Sequence, residues 1–371
     1  MKVIAFYLPQ FHEIPENNEW WGKGFTEWVN VKKAKPLFEG HRQPRVPKDN
    51  NYYDLSDVNV MRWQASLAKE YGLYGFCYYH YWFNGHMLLQ KPLENMLNDK
   101  KVDIPFCICW ANEHWTNAWV SRENKVLIEQ SYGEKKEWKE HYDYLSKFFH
   151  DDRYIKEDNK PMIVIYRPDI VDCMEQMMDY WQELAKEDGF DGLVFAYQSM
   201  SYDYLDYHRG DKFDYDIEYQ PGYARAFMKN NKPDFLRKIF RKCMSYSYKL
   251  GLNIKETTKL SKYDYKQVWD YIIDTPPISE KSIACAFVDW DNTPRRGNGG
   301  AVFEGMTPDL FESYLQKLIV KSKEQYKKDY MFIFAWNEWA EGGYLEPDEE
   351  NGFRNLEAIR NALINTGEFI E

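Results

Sequence analysis

Two carboxylates three positions apart, Glu338 and Glu341, follow an apolar run from Met331 to Trp336 and are framed by Trp336, Trp339 and Tyr344. Paired carboxyl groups on a fixed strand end can work on an acetal. One protonates the leaving oxygen, the other activates or supplies a nucleophile, and indole walls suit the apolar face of a sugar ring. Asn337 joins the run to the first acid. On an extended chain the two acids would point to opposite faces, so they cooperate only if a turn begins after Trp336. A narrow gap between them would predict retention of configuration and a gap wide enough for water would predict inversion. The alternative for this segment is an exposed loop carrying ordinary acids.

Such a pair needs elements that hold it. Short apolar runs predict strands at Val3–Leu8, Gly75–Tyr81, Pro105–Trp110, Met162–Tyr166, Leu193–Tyr197, Asp214–Glu218, Ser282–Asp289 and Met331–Asn337. Helical spacing predicts Asp57–Tyr71 with Val60, Leu67 and Tyr71 inward, Glu134–Phe149 with Trp138, Leu145 and Phe149, and Asp172–Asp188 with Met174, Met178, Trp181 and Leu184. Two more helices are expected at Pro308–Lys323, capped by Thr307, and at Gly352–Asn365. The alternation is that of an α/β chain forming a (β/α)8 TIM barrel, with long strand-to-helix loops making the mouth. The expected organisation is one catalytic domain over 1–371, with a long loop at 10–51 and a helical insertion at about 225–275. Within that insertion Phe235, Leu236, Ile239 and Phe240 alternate with Arg237, Lys238, Arg241 and Lys242. This pattern suits a solvated helix over the barrel, or one resting on an anionic surface.

In a barrel the carboxyl ends of the strands share one face, so residues distant in sequence are expected to meet there. They are Tyr7, Gln10 and His12; His80, Tyr81 and Trp82; Trp110, Asn112, Glu113, His114 and Trp115; Tyr166 and Arg167; Tyr197 and Gln198; Glu218, Tyr219 and Gln220; and Asp289 and Trp290. A purely structural barrel has no reason to gather aromatic and polar residues on one face. Glu27 and Trp28 of the long loop are further candidates for sugar contact, although Glu27 and Glu113 could equally hold a lid or a salt bridge. Arg295 and Arg296, in the loop after the seventh strand, could grip a phosphate, sulfate or uronate, or pair with nearby acids. His12, His80 and His114 lack the spacing of a familiar zinc motif, so no metal is expected, and no cofactor.

Aromatic residues make up 18% of the 371, enough for both core and sugar platforms. A net charge of -11 argues against a general nucleic-acid binder. No apolar stretch approaches the roughly 20 residues that span a bilayer, and the start, MKVIAFYLP, is too short an apolar run for an export signal. The six cysteines show no metal or paired-loop spacing. These features suit a cytoplasmic protein with reduced thiols, and the oligomeric state stays open.

Five motifs in order, Phe6–His12, Trp20–Trp28, Tyr74–Phe83, Trp110–Trp115 and Trp336–Gly342, carry a resemblance that covers nearly the whole chain. The sequence resembles the WbsX-like, glycoside hydrolase family 99-like proteins found with bacterial polysaccharide biosynthesis genes. That resemblance implies a retaining hydrolase of α-mannoside-like or α-rhamnoside-like linkages. It also implies that Glu338 deprotonates the sugar 2-hydroxyl, which closes a 1,2-anhydro sugar, and that Glu341 is acid and then base. An attacking 2-oxygen must lie opposite the leaving group, which excludes α-glucosides. The position between the acids, commonly His in family 99, is Ala340 here, and this puts mannose itself in doubt. The name WbsX points to a glycosyltransferase in O-antigen or capsule assembly as an alternative, and a non-catalytic glycan-binding protein is a third reading.

Overall fold

A computed structural model of the chain describes residues 1–116, 126–199, 212–228 and 259–370. Nine parallel strands form the central sheet: β1 (Lys2–Tyr7), β2 (Gly75–Phe83), β3 (Phe106–Trp110), β4 (Lys160–Ile165), β5 (Val194–Ser199), β6 (Tyr215–Glu218), β7 (Ser282–Ile283), β8 (Cys285–Phe287) and β9 (Tyr330–Phe334). Their order is β7-β6-β5-β4-β3-β2-β1-β9-β8. The two ends of this path, β7 and β8, are separated in sequence only by Ala284, whose carbonyl accepts the Phe332 N–H of β9 at 3.0 Å. The path therefore almost closes on itself. With β7 and β8 as one interrupted run, the result is the eightfold barrel expected from the alternation.

Helices surround it: α1 (Pro15–Trp21), α2 (Glu27–Lys33), α3 (Val58–Glu70), α4 (Lys91–Asn98), α5 (Lys135–Phe149), α6 (Met174–Glu187), α7 (Gly222–Met228), α8 (Tyr265–Asp274), α9 (Thr293–Arg296), α10 (Pro308–Lys321) and α11 (Arg354–Asn365). The expected inward faces of α5 and α6 are buried. The Thr307 hydroxyl caps α10 by accepting the Leu310 N–H, with Pro308 at the first helical position. In α3 the buried face is Met61, Gln64, Ala65, Leu67 and Ala68, while Val60 and Tyr71 are only half-buried. A hydrophobic count could not register Gln64. It is fully buried because it accepts from Tyr7 Oη (2.6 Å) and donates to the buried Glu346 (2.7 Å).

Segment 10–51 holds α1, α2 and a 3-10 turn, so it is more ordered than a plain loop. Its far end is locked to the loop after β8: Arg45 donates to Asp289 (2.8 Å), and His41 and Gln43 both contact Asp291 (2.8 and 2.7 Å). Helix α7 overlaps the start of the 225–275 span and α8 lies at its end, whereas the basic amphipathic stretch at 235–242 lies outside the described residues. Cys77, Cys107, Cys109 and Cys285 are buried free thiols. Among the described residues no helix is long and apolar enough to cross a membrane.

Gln64→Leu keeps the volume but strands the Tyr7 hydroxyl and one oxygen of Glu346 in the core. An unpaired buried polar group costs about 1–3 kcal/mol. The variant should therefore show a lower urea midpoint with an unchanged denaturant slope, whereas Val60→Ala on the half-buried flank of α3 should cost clearly less.

Candidate active site

The turn that carries the two acids is built from backbone constraints. Asn337–Glu338 pairs antiparallel with Gly343–Tyr344, and between them Trp339–Glu341 form one 3-10 turn. Three residues per 3-10 turn bring positions i and i+3 to one side, so Glu338 and Glu341 face the same way. Gly342 closes the turn at φ 71°, and a Cβ there would lie 2.7 Å from the Asp291 nitrogen, whose N–H donates to the Glu341 carbonyl at 2.7 Å. Only glycine fits that approach. Asn337 ties the turn to β1: its Oδ1 accepts the Leu8 N–H (2.7 Å) and its Nδ2 donates to the Leu8 carbonyl (3.0 Å).

Both acids reach the guanidinium of Arg295 on α9. Nη1 donates to Glu341 at 2.7 Å and Nη2 to Glu338 at 3.3 Å, while Glu27 of α2 takes Nε at 3.1 Å and Nη2 at 3.0 Å. One cation thus stands among three carboxyl groups, and all four side chains are 15% exposed or less. Burial raises the Glu338 pKa to about 8; Arg295 opposes that shift while Glu341 and Glu27 add to it. For Arg295 burial acts to lower the pKa, but Glu27, Glu341 and Glu338 outweigh it and the net shift is upward.

In front of the acids lies a pocket with walls of Tyr79, Tyr81, Tyr166, Tyr219, Trp115 and Trp290, and with Gln10, Glu113, His114, Arg295, Glu338 and Glu341 as its polar groups. Hydroxyl contacts order the tyrosines: Tyr79 and Tyr219 meet at 3.0 Å, and Gln10 donates to Tyr81 at 3.0 Å. Glu113 pairs with Arg167, which also binds Asp169 at 2.9 Å. Ring faces, hydroxyls and carboxyls on one surface can hold a polyol and move its protons.

Of the residues proposed from sequence, Gln10, Tyr81, Glu113, His114, Trp115, Tyr166, Tyr219, Trp290, Arg295, Glu338 and Glu341 line this pocket. The others stand elsewhere, and strand parity explains most of them, because alternate side chains of a barrel strand point to the helices. Tyr7 turns outward onto Gln64. His80 faces His141 of α5 at 3.0 Å, Trp82 stacks on the same imidazole at 4.5 Å, and burial lowers the His80 pKa to about 3. Trp110 donates to the Trp82 carbonyl and packs on Trp181, and Tyr197 packs on Phe213. Asn112 bridges the backbone of Arg167 through both side-chain atoms. His12 bonds the Pro9 carbonyl at 2.9 Å, and Trp28 donates to the Tyr53 carbonyl while packing on Trp339. Trp336 is fully buried against Phe76, and Trp339 donates to Glu346 and stacks on Tyr344. Glu27 stands behind Arg295, not in the pocket wall. Arg296 is exposed away from the pocket, and Arg295, engaged by three carboxyl groups, is not presented to a substrate anion. Tyr79 was not singled out in the sequence, although parity with Tyr81 on one strand would have found it.

A barrel with two turn-borne glutamates in an aromatic pocket defines a recognisable architecture. The chain belongs to the family described as Glycosyltransferase WbsX, whose model matches residues 3–359. It is 34% identical over 369 residues to the uncharacterized protein WxcX of Xanthomonas campestris pv. campestris strain B100, with 97% of this chain aligned to 49% of that protein. The counterpart in strain ATCC 33913 is also 34% identical, over 368 residues, with the same coverage. The chain thus spans about half the length of these curated relatives. Among solved structures, the GH99 endo-α-mannosidase from Bacteroides thetaiotaomicron superposes with a TM-score of 0.56 at 12% identity, covering 98% of this chain and 97% of that one. A glycoside hydrolase-like protein gives 0.57 at 12% identity, covering 97% and 93%. At such identity the likeness is one of fold.

Glu338→Gln should leave an electrostatic signature without any substrate. A buried carboxyl whose pKa rises from the usual 4.5 to about 8 on folding gives the native state stability that is complete below pH 4.5 and lost as pH rises through about 8. The amide cannot ionise, so the variant should gain on the wild type between those limits, by up to about 1.4 kcal/mol per pH unit, and run parallel above them. Melting temperatures across pH 5 to 9 check this, and a constant offset would refute it.

Proposed function

We propose that the chain is a glycan-active enzyme, a retaining glycoside hydrolase that cleaves α-mannoside-like or α-rhamnoside-like linkages of a bacterial polysaccharide. The observation that carries this reading is the pair Glu338 and Glu341, brought by one 3-10 turn to a common guanidinium at the floor of an aromatic pocket. Their chain positions match the Glu-Trp-x-Glu of the family 99 resemblance, which assigns Glu338 as base and Glu341 as acid.

In that reaction Glu338 takes the proton of the sugar 2-hydroxyl as O2 attacks C1 from the face opposite the leaving group. Glu341 gives its proton to the departing oxygen. The products of this half are a 1,2-anhydro sugar and the released chain end. Water then opens the anhydro ring at C1 while Glu341 accepts its proton, and Glu338 returns a proton to O2. Two inversions leave the configuration retained, and each glutamate ends as it began. Tyr79, Tyr81 and Tyr219 bring hydroxyls to the same space, and Trp115 and Trp290 supply faces for the ring.

The description of the family as a glycosyltransferase favours a second reading, in which the same pocket joins a sugar to an acceptor. Incubation with α-mannan, α-rhamnan and lipid-linked or capsule oligosaccharides, with and without nucleotide sugars, separates the two by mass spectrometry of the products. Hydrolysis predicts shortened glycans without nucleotide, and a loss of at least about 100-fold in both Glu338→Gln and Glu341→Gln. Extension only in the presence of a nucleotide sugar would replace the hydrolase.

The pH profile follows from the proton count. The first half-reaction needs one proton on the glutamate pair, whichever member holds it at rest, and coupled groups report a macroscopic value. With Glu338 raised to about 8, kcat/KM should fall tenfold per unit above that pH. Activity that rises through pH 8 to 9 would contradict a one-proton pair.

A further inference from the structure

We propose that Arg295, fixed from behind by Glu27, is the positioning residue that confines Glu338 and Glu341 to one shared proton and sets which of them holds it before the sugar arrives. The proposal rests on the reading of these glutamates as the reacting pair.

The first support is the division of the guanidinium. Glu27 takes Nε and part of Nη2, Glu341 takes Nη1 at 2.7 Å, and Glu338 is left a longer share of Nη2 at 3.3 Å. A planar fork cannot serve three carboxylates equally, and here the closer charged contact goes to Glu341. Charge count is the second. Three ionised carboxylates around one cation would leave two uncompensated negative charges in a site largely closed to water, and one proton halves that excess. Among the described residues, the groups that act on Glu338 include no cation besides Arg295: they are Glu341, Glu27, and the hydroxyls of Tyr79, Tyr81 and Tyr219. Glu113 and His114 also line the pocket.

Arg295 is held in place from both sides. Glu27 accepts from Asn30 Nδ2 at 3.3 Å, and its N–H donates to the Gln10 carbonyl at 3.1 Å. The helix of Arg295 starts at Thr293, whose hydroxyl and N–H bond Asp291, and Asp291 is held by His41 and Gln43. At rest Glu341 is therefore the ion-paired carboxylate and Glu338 the acid. The chemistry requires the opposite arrangement. One proton passes from Glu338 to Glu341 as Nη2 closes on Glu338, and the number of protons and the net charge in the site are unchanged.

Glu27→Gln tests this, because the amide keeps the size of the side chain and removes one negative charge that touches no substrate. Protein labelled with 13C at the glutamate carboxyls, without substrate, gives the titration midpoint of Glu338, assigned by its loss in Glu338→Gln. The midpoint should fall by about one pH unit in Glu27→Gln and rise by about as much in Arg295→Gln, with Arg295→Lys between that variant and the wild type. The basic limb of kcat/KM should shift the same way. A Glu27→Gln midpoint unchanged within error, in protein that melts like the wild type, would overturn the proposal and leave the catalytic reading intact. Midpoints that shift as expected while Glu338→Gln still turns over glycans would instead sink the catalytic reading.

Discussion

The pocket depends on keeping three carboxyl groups and one guanidinium out of water together. Charges lose several kcal/mol of hydration on burial, and only close pairing offsets the loss. Arg295 is within 3.3 Å of Glu27, Glu338 and Glu341, so removal of any one partner changes the charge balance around the others. Four segments meet at this point: α2 from the long first loop, the turn after β9, α9 after β8, and the tyrosines of β2. The rigidity that surrounds them is consistent with this demand. Asn337 locks the turn to β1, Gly342 allows it to touch Asp291, and Asp291 and Asp289 anchor the first loop.

The aromatic content serves two purposes that strand parity keeps apart. On β2 the side chains of Tyr79 and Tyr81 enter the pocket, while Tyr78, His80 and Trp82 enter the layer between barrel and helices. The His80–His141 contact shows how polar rings survive there. Each imidazole has the other as a hydrogen-bond partner, and burial holds both pKa values down, so they stay neutral. Much of the motif that carries the family resemblance is thus scaffold, which keeps the pocket wall of neighbouring residues in register.

Glu346 carries the same physics without an exposed role. Its oxygens accept from Gln64, Tyr53 and Trp339, all neutral donors, and burial raises its pKa to about 7. It joins α3, the end of the first loop and the turn that bears the acids. Trp339 is therefore placed by hydrogen bonding and stacking on the side of the turn away from the pocket, where the sequence had put it among sugar contacts.

Local pattern alone determined much of this protein. Alternating apolar runs and helical faces implied the eightfold barrel, and the spacing of Glu338 and Glu341 after an apolar strand marked the turn where acids could act together. Period-2 and period-3.6 burial is written in neighbouring residues, which is why these features are legible. The tertiary structure alone decided which strand-end residues meet. Tyr79 joins the pocket and Tyr7, His80, Trp110 and Trp336 leave it, because strand parity and tilt decide which face a side chain reaches. It also turned Arg295 from a possible anion grip into the centre of a carboxylate cluster with Glu27, which lies 268 positions away in the chain. Electrostatic pairing depends on distance in space, and no spacing along a chain encodes a distance that only the closed barrel creates.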